Sequence, residues 1–125
     1  GAKVSQLTPE AHDRVFAAVS HLPHLLAFAL VHDLAGRDNA DQLFGFAASG
    51  FRDFTRIASS HPEMWRDICV ANRNALLKEV DAFMVELLKT RVLLASADSA
   101  GLAAMFASAR ARRDAWLESL LPVGE

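Results

Sequence analysis

The sequence predicts an all-α chain of five or six helices, one of them long, on three observations. Apolar residues recur at three- and four-residue steps over almost the whole length, the spacing that lays side chains along one helix face. Two stretches, Thr8-Pro9-Glu10 and Ser60-His61-Pro62-Glu63, place a capping side chain, a proline and an acid in succession, which is how helices begin. Nowhere does the period-two alternation of a strand run between turn signals. Six Gly and four Pro in 125 residues are also too few for a disordered or turn-dense chain. The length suits one domain, 1–125, able to bury about two-thirds of the surface its unfolded form exposes.

The first helix opens at Thr8, with Pro9 in the first turn and Glu10 near the positive end of the helix dipole. Val15, Phe16, Val19 and Leu22 continue its apolar face. Pro23 removes a backbone donor in mid-run and its ring crowds the preceding turn, so a kink or break is expected there. Beyond it Leu25–Val31 is apolar nearly all round, the pattern of a segment buried on most sides, and Gly36 suits the helix end. Asp38 or Asn39 can cap a short helix running to about Ala48. Gly50 separates it from another, Phe51 to about Ser59. From Pro62 onward Trp65, Ile68, Cys69, Asn72, Leu76, Val80, Phe83, Leu87 and Val92 hold one seam for some thirty residues. A single helix of that length extends about 45 Å. A compact domain of this size is roughly 28 Å across, so such a helix finds a partner chain. Asp98 or Ser99 starts the last helix, with Leu102, Met105, Phe106, Ala109 and Trp116 on its apolar side, ending before Pro122.

Charge and cysteine usage exclude several classes. Thirteen Lys+Arg against fifteen Asp+Glu give a net charge of −2, without the basic footprint of a nucleic-acid binder. The local run Arg110, Arg112, Arg113 reads as a solvated helix face, with no interleaved aromatics. Charged residues are read as interrupting every apolar run short of the ~18 residues a membrane span needs. The single Cys69 rules out a disulfide framework or a Cys-based metal cluster and fits a reducing cytosol, hence a cytoplasmic protein. Gly1-Ala2-Lys3-Val4 has no signal-peptide architecture, and Gly in place of Met suggests a processed piece of a longer protein. The six Gly form no G-x-G-x-x-G and no phosphate loop, so no nucleotide site is visible.

Two clusters carry chemistry. In Ser20-His21-Leu22-Pro23-His24, two imidazoles at i and i+3 share a helix face unless Pro23 turns them apart. They are either a hydrogen-bonded and a packed structural pair, or polar groups set in the apolar wall of a small-molecule pocket. A metal centre needs a third ligand from His12, His32 or Asp33 and is not expected. In Gly50-Phe51-Arg52-Asp53-Phe54-Thr55-Arg56-Ile57-Ala58, Arg52 and Arg56 lie one turn apart with Asp53 between. They form a solvated face, or, given Phe51, Phe54 and Ile57 around them, a guanidinium near apolar surface that suits a carboxylate. Trp65 reads as a core or interface anchor, and Cys69 as a buried, inert thiol.

Taken together, these two strings and Ser-x-Pro-x-Met-Trp-x-Asp-Ile across Ser60–Ile68, followed by Asn72, closely resemble the prephenate dehydrogenase family. The resemblance covers roughly residues 5–118 and is to that family's C-terminal helical domain; arogenate-using relatives share the pattern. It implies an enzyme that oxidatively decarboxylates prephenate to 4-hydroxyphenylpyruvate with NAD or NADP, on the route to tyrosine. It also implies an upstream dinucleotide-binding domain holding the catalytic His and most of the cofactor site, so that this chain alone is inactive. The substrate, prephenate or arogenate, would sit in the cleft between domains, and a homodimer would form through the long helices. By the same resemblance Arg56 matches the substrate-carboxylate Arg and His24 the second His of the motif, placed near substrate. His21 and Ser20 match its other members, Asp53 an acid in the Arg network, and Trp65 the Trp near that network. Position 52 is Arg where the family often has Lys, and Arg52 is given no role. The competing reading is a stand-alone helical interaction or regulatory module without catalysis.

Overall fold

The computed structural model of the chain describes residues 6–122. Gly1–Val4, on which the reading of the N-terminus rests, lie outside the described residues. The chain divides into two units, Thr8–Asp81 and the part from Ala82 onward. Among the described residues every regular element is helical.

In the first unit, helix α1 (Pro9–Phe16) begins as its sequence dictates. Thr8 Oγ1 accepts from the Ala11 N–H at 3.1 Å, satisfying one donor that the first turn leaves free. Of the kink or break expected at Pro23, the break does not occur: the helix continues through a local widening. A π turn (Ala17–His21), closed by the Leu22 N–H on the Ala17 carbonyl, leads without interruption into α2 (Leu22–Ala35). In a regular α-helix the Pro23 ring would press on the Val19 carbonyl. One extra residue in the turn before it relieves that clash while the helix continues.

Helix α2 packs against α3 (Ala40–Gly45), α4 (Ser49–Thr55) and the 3-10 turn Arg56–Ser59 that continues α4. Ala27 is buried, but Leu25, Leu26, Phe28, Leu30 and Val31 are only half-buried and Ala29 is exposed. The burial expected on most sides of this segment is therefore partial. Gly50 lies within the first turn of α4 and does not separate two helices as expected. Helix α5 (Pro62–Ala71) is capped by His61, whose Nδ1 accepts from the Met64 N–H at 3.2 Å. Ser60 instead donates to the Ile57 carbonyl at 2.6 Å and closes the 3-10 turn.

The single thirty-residue helix expected from Pro62 onward is two helices. The chain leaves helical geometry at Asn72 (φ −107°, ψ 28°) and resumes as α6 (Arg73–Ala95). At 23 residues α6 is about 35 Å long. Asn side chains compete with the helix by bonding elsewhere, and this one bonds to the Asp13 carbonyl at 2.8 Å.

The continuous run Pro9–Ala35 also overturns one sequence argument. It is 27 residues long and contains an 18-residue window of mean hydropathy 1.6, long and apolar enough by length and composition to cross a membrane. Between Arg14 and Asp33 the ionisable side chains are the imidazoles of His21, His24 and His32, so charges do not interrupt this run. Within it His21 is met by the Asn72 amide and the His24 Nδ1 by the Ser20 carbonyl, while His32 is exposed.

In the second unit α6 ends in a turn that leads to α7 (Ser99–Ser119), where Asp98 Oδ1 caps the Gly101 N–H at 2.9 Å. The helix end is a Schellman turn: the Asp98 N–H reaches the Leu93 carbonyl at 2.9 Å and the Ala97 N–H reaches Leu94 at 3.1 Å. It places Ala97 at φ 52°, the left-handed region where a Cβ is penalised. Ala97→Gly is therefore expected to stabilise the fold by about 1 kcal/mol, read as a higher urea midpoint at unchanged slope; an unchanged midpoint would contradict it.

The capacity for a core is hardly used within one chain. Ala17, Leu22, Ala27 and Leu76 are the buried hydrophobic residues among those described, and none lies beyond Ala82. In that second unit Phe83, Met84, Val85, Leu87, Leu88, Val92, Leu94, Phe106 and Trp116 are all exposed.

Candidate functional site

The first unit brings together three side chains from the two ends of its sequence. His21 closes the π turn, His24 sits one turn further along α2, and Trp65 lies in the first turns of α5. The His24 ring stacks on Trp65 with centroids 3.6 Å apart and planes 14° from parallel. The His21 ring meets the same indole edge-on, at 6.0 Å and 77°. The His21 contact is the edge-to-face arrangement that aromatic quadrupoles prefer and the His24 contact is a close parallel stack, so both imidazoles lie against one indole.

Hydrogen bonds complete the fixation. His24 Nδ1 lies 2.8 Å from the Ser20 carbonyl. A carbonyl only accepts, so Nδ1 carries the proton and neutral His24 keeps its lone pair on Nε2. Ser20 thus enters the cluster through its backbone. His21 Nδ1 lies 3.2 Å from Asn72 Nδ2, the amide that also binds the Asp13 carbonyl. The sequence pattern ended on Asn72 without assigning it a task; an amide in an apolar seam was the signal available.

Burial pushes the His21 pKa below the ordinary 6.5. His24 and His12 push the same way, and Asp13 opposes them. The folded state thus holds His21 neutral where the unfolded chain already takes a proton. Stability is undiminished above pH 6.5 and is lost progressively as pH falls below it, toward the folded value. Thermal melts between pH 8 and 5 are expected to fall on the acid side of about 6.5, and His21→Gln is expected to flatten that decline. An equal decline in both proteins would remove His21 from the effect.

Arg56 and Asp53 sit apart from the imidazoles. Arg56 begins the 3-10 turn, its N–H bonded to the Asp53 carbonyl, and both side chains are exposed. Among the described residues no ion pair engages Arg52, Asp53 or Arg56, and no hydrogen bond links them to His21, His24 or Trp65. What the two groups share is α2, which carries His24 and against which α4 and its 3-10 extension pack. The imidazoles are thus carried by α2 and the turn before it, and Arg56 begins a turn packed against α2.

Beside Trp65 lies an apolar pocket of about 320 Å³ lined by Leu25, Phe28, Pro62, Arg66, Cys69 and Val70. Burial raises the Cys69 pKa, keeping the thiol protonated and a poor nucleophile. Among the described residues no set of three His, Cys, Asp or Glu is placed to hold a metal. No described glycine has a positive φ and no strand leads into a helix, so these residues do not fit a dinucleotide cradle.

Comparison with known proteins adds a family. The family model described as "Prephenate dehydrogenase, dimerization domain" matches residues 8–108. Prephenate dehydrogenase of Bacillus subtilis (strain 168) is 42% identical over 110 residues, covering 87% of this chain and 30% of that protein. Cyclohexadienyl dehydrogenase of Zymomonas mobilis is 38% identical over 100 residues, covering 78% of this chain and 34% of its own. Among solved structures, prephenate dehydrogenase from Aquifex aeolicus in complex with hydroxyphenyl propionate and NAD+ superposes with a TM-score of 0.82 at 38% identity. That match covers 90% of this chain and 40% of the other. Synechocystis arogenate dehydrogenase gives 0.83 at 30% identity, covering 93% and 43%. The chain thus spans about a third of the length of its curated relatives.

Proposed function

The chain belongs to the prephenate dehydrogenase family, and from that premise we propose that it is the C-terminal, dimerising part of a cytoplasmic enzyme that oxidatively decarboxylates prephenate, or its counterpart arogenate. With prephenate the product is 4-hydroxyphenylpyruvate. A dinucleotide-binding domain upstream of residue 1 would hold NAD or NADP, which accepts the hydride. No catalytic step is assigned to the residues of this chain. Their task is to bind and orient the substrate and to join two copies through the long helices α6 and α7.

The observation that carries this reading is the imidazole pair fixed on Trp65, on the helix that also backs the unpaired Arg56. Prephenate is a dicarboxylate, and a guanidinium without an internal partner can bind one carboxylate through two parallel hydrogen bonds. Held there, the ring is oriented for hydride removal. The grip must not favour the ground state so strongly that the transition state gains nothing. His24, with its Nε2 lone pair, and His21 would meet the substrate from the α2 side. Asp53 and Ser20 belong to the site through the turn and backbone that place Arg56 and His24.

The stand-alone interaction module loses its ground against these relatives, which are dehydrogenases over the matched region. The full-length protein, given prephenate and NAD or NADP, is expected to produce reduced nicotinamide and 4-hydroxyphenylpyruvate in equal amounts. Absence of turnover with prephenate and arogenate alike, in a correctly folded protein, would overturn the reading.

A further inference from the structure

We infer that Asn72 is a positioning residue that locks His21 in the Nε2–H tautomer, so that the two imidazoles beside Trp65 meet a ligand with opposite hydrogen-bonding polarity. The inference rests on the proposal that this cluster lines the substrate site, and it deepens that proposal.

The orientation of the Asn72 amide is settled by chemistry. One of its polar atoms lies 2.8 Å from the Asp13 carbonyl, an obligate acceptor, so that atom is the NH2 group. The same nitrogen lies 3.2 Å from His21 Nδ1. With one hydrogen given to Asp13, the second is left for His21, and Nδ1 must accept it. The proton of neutral His21 therefore sits on Nε2. At His24 the opposite holds, because the Ser20 carbonyl takes the Nδ1 proton. One imidazole is left with a donor and its neighbour with an acceptor.

Two unconstrained imidazoles would each sample both tautomers, and a ligand would have to select one arrangement in four. Fixing both beforehand removes that cost from binding. A donor and an acceptor on adjacent rings suit a ligand presenting one group of each kind, a carboxylate oxygen and a hydroxyl. The same bond explains why the seam breaks at Asn72: leaving helical geometry there lets its amide reach both α1 and the π turn. The charged or titratable groups facing His21 are His24 on α2 and Asp13 and His12 on α1. None of them donates to Nδ1, so the neutral amide is the group that sets the tautomer.

Protein labelled with 15N-histidine tests this directly. The long-range proton–nitrogen spectrum at pH 8 is expected to assign His21 as Nε2–H and His24 as Nδ1–H. Asn72→Asp replaces the donor with an acceptor, and His21 is expected to flip to Nδ1–H and to titrate at higher pH than in the unaltered protein. In the full-length enzyme the acid limb of kcat/KM for prephenate is expected to move to higher pH by the same shift. An Nδ1–H signal for His21 in the unaltered protein would overturn the inference without needing any variant to fold. So would an unchanged tautomer in a folded Asn72→Asp protein. The spectrum needs no substrate, so it stays decisive even if prephenate is not turned over; turnover with the wrong tautomer would sink this inference alone.

Discussion

Arg56→Ala in the full-length enzyme is expected to raise KM for prephenate about 30- to 150-fold while leaving KM for the nicotinamide cofactor within about twofold. A charge-assisted pair lost from a partly solvated site costs about 2–3 kcal/mol, and every 1.4 kcal/mol is tenfold. Arg56 is exposed, and among the described residues it makes no ion pair and its backbone N–H bonds to the Asp53 carbonyl, so its truncation removes no contact seen there. Arg56→Lys keeps the charge and loses the planar fork, and is expected to fall between the two. Steady-state kinetics decide the matter: equal rises for substrate and cofactor, or none for either, would take Arg56 out of the carboxylate role. The contrast with Asp53→Asn is informative. Asp53 meets Arg56 through its backbone carbonyl, so that change is expected to be several-fold smaller than Arg56→Ala.

The features legible in the sequence are those decided within a few residues. Thr8 and Asp98 are caps because a hydroxyl and a carboxylate can reach an N–H three residues on, and both are found where the pattern put them. The helical class follows from periodicity, which is equally local. Helix continuity is not decided by the apolar pattern at two places, for opposite reasons. At Pro23 the chain escapes the clash by widening one turn, a choice between closing a ring of four residues or five that leaves no mark on hydropathy. At Asn72 the apolar spacing runs on undisturbed, and what stops the helix is a pair of bonds to residues 59 and 51 positions away. The site shows the same division. His21, His24 and Trp65 were each visible as residue types in a motif, but their stacking depends on how α5 returns to the π turn. His61 caps α5 through its ring nitrogen while the Ser60 hydroxyl bonds back to Ile57, a division between neighbours that composition does not rank.

The chain is expected to sediment at micromolar concentration as a dimer, at twice the 13.6 kDa of one copy, and Leu87→Asp with Leu88→Asp is expected to abolish that dimer. One chain leaves an apolar face of α6 uncovered. Met84, Leu87, Arg91 and Leu94 follow one another at steps of three and four along α6, with Leu88 one turn beyond Met84 beside them. They line an almost wholly apolar groove of about 450 Å³. Leu87, Leu88 and Leu94 are 55%, 60% and 68% exposed, and no described residue of that unit is buried. Monomeric proteins rarely leave a contiguous apolar patch of more than a few hundred Å² open to water. The half of the sequence that is hydrophobic is therefore expected to serve as core material for two copies rather than one. Covering it repays about 25 cal/mol for each Å² of apolar surface removed, and a stable interface buries about 1,600 Å² in total. Two carboxylates placed in that stripe have no cation to meet except Arg91, and burying one unpaired costs several kcal/mol. The dimer dissociation constant is expected to rise at least a thousandfold, about 4 kcal/mol. The separated chains, with α6 and α7 unsupported, are expected to lose helicity, since helices of this length owe most of their stability to packing of the apolar face. A 13.6 kDa species from the unaltered chain would overturn the dimer, and a dimer that survives both substitutions would move the interface away from α6.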